Sequence, residues 1–162
     1  MLKINKTYII MSKEQFNELS EDVIEFFNEL EKKLSFPTDL KMLFQSDAKQ
    51  KNLLKIIKIP DRYSVLLKAD LIVSFNEEYF DSFDDEAKTI LIDQELALLE
   101  FNYEKGTLKI GKPNIMTSNS IFDKYGNDAV KRANQLTILL KEQLEEKEKQ
   151  EKDQKPKKNK RY

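Results

Sequence analysis

The chain has 162 residues, 40% hydrophobic and 35% charged, with a formal net charge of −1. That is room for one domain with its own core, and the net charge gives no strong bias toward nucleic acid or membrane. It contains no histidine, no cysteine and only three glycines, which excludes Ser-His-Asp and Cys-His nucleophiles, disulfides and a glycine-rich phosphate loop.

Ser12 followed three residues later by Gln15 reads as a capping box. Phe16, Leu19, Val23, Phe26, Phe27, Leu30 and Leu34 then recur at helical spacing, so a long amphipathic helix is expected over residues 13–34, stopped by Phe36-Pro37. Residues 40–44 and 53–59 read as strands separated by the polar turn SDAKQKN, and residues 70–75 as a short β-branched strand. Residues 61–68 fit either a strand or a helical turn.

A helix is expected to open between Ser82 and Asp85, with acids in its first turn, and to run to about Glu100. Residues 101–103 and 107–110 flank Glu104-Lys105-Gly106 as a hairpin. Pro113 to Thr117 reads as loop, and Ser118 or Ser120 as the start of a helix that ends at Gly126. The last helix carries Val130, Ala133, Leu136, Leu140 and Leu144 on one stripe. From Glu145 onward there is no aliphatic residue, and this charged segment is expected to fray into disorder.

Within the apolar stretch LIDQELALLEF, residues 91–101, Asp93-Gln94-Glu95 forms a polar island. On a wheel of 100° per residue, Asp93 falls with Glu86, Thr89 and Glu100 on the expected solvent face. Gln94 falls among Ala87, Ile90 and Leu98, and Glu95 beside Leu91, Leu98 and Leu99, on the apolar arc. A buried carboxylate requires a partner, so Glu95 is expected to meet a lysine or a backbone amide from the loop around Lys112 to Asn114. The plainest explanation of Gln94 and Glu95 is structural hydrogen bonding.

The order of these segments resembles the phage metallopeptidase family. Ala69-Asp70-Leu71-Ile72-Val73 is similar to the family's alanine-aspartate strand. The acidic stretch from Phe80 to Glu86 resembles its helix start, and Phe122-Asp123-Lys124-Tyr125-Gly126 its closing tyrosine-glycine. The family's His-Glu-Leu-x-His motif reads here Gln94-Glu95-Leu96-Ala97-Leu98. Its third histidine aligns with Pro113, followed by Asn114. In such a helix two histidines hold zinc and the glutamate activates water; of these only Glu95 remains.

The resemblance therefore implies an α+β fold: a small mixed β-sheet packed against helices, zincin-like, with a C-terminal helix and a disordered basic tail. Residues 1–146 form the domain and 147–162 the tail. With the motif degenerate at Gln94, Glu95, Leu98, Pro113 and Asn114, the expectation is a chain that is not an enzyme and takes no cofactor. It would serve as a binding or structural scaffold of phage or mobile-element origin, a virion component or a host-factor binder. Its partner would be a protein or a virion assembly, and its place the bacterial host cytoplasm or the virion. No apolar stretch approaches the ~20 residues of a membrane span, and no signal peptide is recognisable. One alternative is a nucleic-acid-associated protein acting through Lys155, Lys157, Lys158, Lys160 and Arg161, by counterion release. Another is a hydrolase drawing metal ligands from Glu95, Asp93 and other carboxylates.

Overall fold

A computed structural model describes residues 16–33 and 40–154 of the chain. Strands β1 (Phe16–Asn17), β2 (Met42–Asp47), β3 (Leu54–Lys58) and β4 (Leu71–Phe75) form one sheet in the order β1-β2-β4-β3. β4 runs parallel to β2 and antiparallel to β3. It has a neighbour strand on each side, and Leu71, Val73 and Phe75 are wholly buried on its inner face, which is why it reads as an almost unbroken apolar run. The register aligns Phe44, Val73 and Ile56 on one face, and Leu43, Ile72 and Ile57 on the other. Helix α1 (Glu21–Lys33) brings Phe27 edge-on to Phe44 and Phe75 on the first face, with ring centroids 5.4 and 6.0 Å apart. Leu43 and Ile57 on the second face are exposed.

The expected helix over 13–34 is corrected at its start. Phe16 and Asn17 pair with Asp47 and Ser46 of β2, so strand pairing overrides the helical spacing of Phe16 with Leu19 and Val23. Ser12 and Gln15 lie outside the described residues. The mixed sheet packed against helices is otherwise as the sequence implies. The ambiguous segment is helix α2 (Asp61–Leu67), closed by Lys68 in the left-handed conformation at φ 51°.

After β4, Asn76 caps a short helix α3 (Glu77–Ser82) by accepting from the Tyr79 N–H. Asp84 caps α4 (Asp85–Leu96), accepting from the Ala87 N–H at 2.9 Å, while Arg132 pairs with the same carboxylate. α4 stops at Leu96 rather than near Glu100, because Leu99 and Glu100 already pair with Ile110 and Lys109. That pairing makes the hairpin of β5 (Leu99–Asn102) and β6 (Thr107–Ile110).

Helix α5 (Ile115–Tyr125) also begins earlier than expected. Asn114 accepts from the Thr117 N–H at 3.0 Å while the Thr117 hydroxyl accepts from the Asn114 N–H at 3.1 Å. The box uses threonine at its third position, where Glu or Gln is the usual signature. Gly126, at φ 85° and ψ 153°, turns the chain into α6 (Asn127–Gln154). That backbone is open to glycine almost alone. α6 remains helical through Gln154, so residues 147–154, expected to fray, are ordered. Glu145 pairs with Lys51 and Lys147 with Glu78, each at 2.8 Å. The tail residues Lys155, Lys157, Lys158, Lys160 and Arg161 lie outside the described residues. Among the described residues no helix is long and apolar enough to cross a membrane.

Candidate functional site: the cleft between α4, α5 and α6

The C-terminal half of α4 is covered by three elements, and the polar island sits there. Ile90 and Ile92 are wholly buried, and Leu91 and Leu96 nearly so. Asp93 is buried as well, at 8% exposure, which corrects its expected place on the solvent face. Both its partners come from the end of α5. Lys124 Nζ donates to Oδ2 at 2.6 Å, and the Tyr125 hydroxyl donates to the same oxygen at 2.7 Å. Burial, and then the hydrogen bond to the Asp93 carboxylate, push the Tyr125 phenol well above its ordinary range. The cluster joins α4 to the far end of α5 and sets the angle at which α5 lies over the cleft.

Gln94 and Glu95 point elsewhere, and each is half-buried. With Leu98, Pro113, Thr117, Ser118, Ile121, Phe122, Val130 and Asn134 they line a cavity of about 300 Å³. The hairpin explains how Pro113 comes to face Leu98. The Gly111 N–H donates to the Leu98 carbonyl at 2.7 Å, returning the chain to where it left α4. A second cavity of about 260 Å³ shares Gln94, Glu95 and Asn134, and is completed by Leu53, Leu54, Leu91 and residues of α6. Glu95 thus stands where two adjoining cavities meet.

The expected partner of Glu95 near Lys112 to Asn114 is not there. Among the described residues the carboxylate forms no hydrogen bond and no ion pair. Burial pushes its pKa up, and the charge of Lys55 pulls part of the way back. Of the five positions singled out in the sequence, Gln94, Glu95, Leu98 and Pro113 share the cavity. Asn114 does not line it, because its side chain caps α5.

Sequence reasoning missed Thr117, Ser118 and Asn134 as lining, and assigned Val130 to the core stripe. It also missed Lys124 and Tyr125 as the partners of Asp93. The one available signal was the Asn114–Thr117 spacing, which fixes the start of α5 and so turns Thr117 and Ser118 toward α4.

A zinc ion held by this cleft needs nitrogen, sulfur or carboxylate donors at tetrahedral spacing. Leu98 and Pro113 offer no side-chain donor, Gln94 a weak neutral oxygen, and Glu95 one carboxylate. Among the described residues no three of His, Cys, Asp or Glu converge on a point. The side chains present do not fit that metal.

Fold and site together define a small α+β domain whose cleft lies where a helix end, a returning hairpin and a following helix meet. Residues 8–137 match the family model described as "Putative phage metallopeptidase", and the chain belongs to that family. No curated protein and no solved structure matches it. The family description names a peptidase, so the expectation that the chain is not an enzyme, drawn from its missing histidines, is corrected.

Proposed function

We propose that this chain uses a metallopeptidase scaffold, zincin-like in plan, to hold an extended segment of a protein partner in the cleft between α4, α5 and α6. The partner is a virion protein or a host protein. Capture of a peptide is the step that a peptidase and a peptide-binding scaffold share, and it requires no metal from these side chains.

The observation that carries the reading is the convergence of Gln94, Glu95, Leu98 and Pro113 on one cavity. They are the positions that the resemblance aligns with the zinc motif, and Pro113 reaches the others only through the hairpin. The cavity has the make-up of a recognition pocket, with apolar walls that include Ile121, Phe122 and Val130, and polar groups from α4, α5 and α6.

The test is selection from a random-peptide library, followed by fluorescence anisotropy on the selected sequences as synthetic peptides. Binding should be lost in Ser118→Trp, which fills the cavity while the residue remains on an exposed helix face. Mass spectrometry of the same mixtures reads any cleavage. Failure to select a peptide, or equal binding by Ser118→Trp, overturns the reading.

A further inference from the structure

Among the described residues Glu95 is the one charged side chain lining the first cavity; the remaining polar lining is neutral, from Gln94, Asn134, Thr117 and Ser118. The rest of the wall is Leu98, Pro113, Ile121, Phe122 and Val130. A cavity lined by apolar side chains and one carboxylate matches a group that is aliphatic along its length and cationic at its tip. We propose that this cavity selects a basic side chain, lysine or arginine, of the bound segment, with Glu95 receiving the cationic head. This rests on the cleft reading above and adds a specificity to it.

Three considerations support it. First, the carboxylate has no partner within the described residues, although burial makes its ionised form costly. A cation entering the cavity supplies the missing counter-charge, and the carbonyl oxygens of Gln94 and Asn134 are further acceptors for its N–H groups. Second, the cations among the described residues leave the position open. Lys55 of β3 is exposed and acts on Glu95 only through space. Lys141 of α6 lines the adjoining cavity but makes no ion pair with Glu95, and α5 contributes no charged side chain to either wall. Third, an anionic segment would have to bring its own charge against an unpaired carboxylate, and a purely apolar one would bury Glu95 further without compensation.

The probes are n-butylguanidinium and its neutral counterpart 1-pentanol, titrated into the ¹⁵N-labelled full chain. Backbone amide shifts are followed at Gln94, Glu95, Ser118, Ile121 and Asn134. The cation should give saturable shifts at these positions and bind at least about 10-fold more tightly than the alcohol, the size of one charge-assisted hydrogen bond. Glu95→Gln, which keeps the shape and removes the charge, should erase that preference. Equal affinity of cation and alcohol for the native chain, or an unchanged preference in Glu95→Gln, overturns the inference. If neither probe shifts these amides, the inference also falls. Selected peptides that carry no basic residue, but whose binding is lost in Ser118→Trp, would leave the cleft reading standing and this specificity refuted.

Discussion

Asp93→Ala removes a buried acceptor on which two donors converge, and its cost follows from their environments. The Tyr125 hydroxyl is half-buried and has Asp93 Oδ2 as its partner. Losing a hydrogen bond to a charged group costs about 1.5–3 kcal/mol. Lys124 is 46% exposed and can turn to water, so its share is that of a surface pair, about 0–1 kcal/mol. The expected loss is therefore roughly 1.5–4 kcal/mol for Asp93→Ala. Asp93→Asn should lose less, because its amide oxygen still accepts from Tyr125. Equilibrium urea denaturation of the two variants beside the native chain measures this.

The same cluster predicts an alkaline limb. Tyr125 has its folded-state pKa raised, so its contribution is complete below the unfolded tyrosine value of about 10 and is lost as pH rises beyond it. Stability should fall above pH ~10, and Tyr125→Phe should flatten that fall while costing stability at neutral pH. Asp93→Ala indistinguishable from the native chain in urea would refute the assignment of Asp93 as the tie between α4 and α5.

The folded pKa of Glu95 is raised by burial without a partner, so the carboxyl is harmless below the unfolded value near 4.3 and destabilises above it as the charge forms. Glu95→Gln should then melt at or above the native temperature at pH 7, with the difference closing toward pH ~4, as read by thermal denaturation across that range. A chain ending at Glu146 loses the exposed Lys147–Glu78 pair but keeps Lys51–Glu145, and should melt within a few degrees of the full chain by calorimetry; a collapse would show that the end of α6 carries part of the core. The combined substitution of Gln94, Leu98 and Pro113 by histidine should create stoichiometric zinc binding, read by competition with a chelating dye. No gain of binding would mean that these positions do not correspond to the three ligands of the motif.

The elements that could be read from the sequence are those whose local pattern and tertiary use agree. β4 is apolar because it is an inner strand with Leu71, Val73 and Phe75 wholly buried, and the α4 start is legible because Asp84 is both a good cap and the first of several acids suited to a helix N-terminus. Phe16 fails that agreement: it keeps helical spacing with Leu19 while its backbone pairs with Asp47. Leu99 and Glu100 fail it too, since they continue the apolar rhythm of α4 but belong to a hairpin. In each case the deciding partner lies at least nine residues away in the chain, beyond the reach of periodicity.

The polar island shows the same limit at the site. A helical wheel separates two faces only when one neighbour covers the helix; the second half of α4 has neighbours on several sides, from β3, α5 and α6. Asp93 therefore lies buried on the arc that looked solvent-facing, satisfied by Lys124 and Tyr125 from a helix whose position no wheel contains. Gln94 and Glu95 lie on the apolar arc as the wheel implies, yet with Leu98 they face a cavity while Ala87 and Ile90 of the same arc meet packed side chains. Periodicity reports which residues leave bulk water, and not whether what replaces the water is protein or space. The two outcomes carry opposite chemistry: Asp93 has its donors within the fold and acts as a tie, whereas Glu95 has none among the described residues, which is the ground on which a ligand-selecting role is proposed for it.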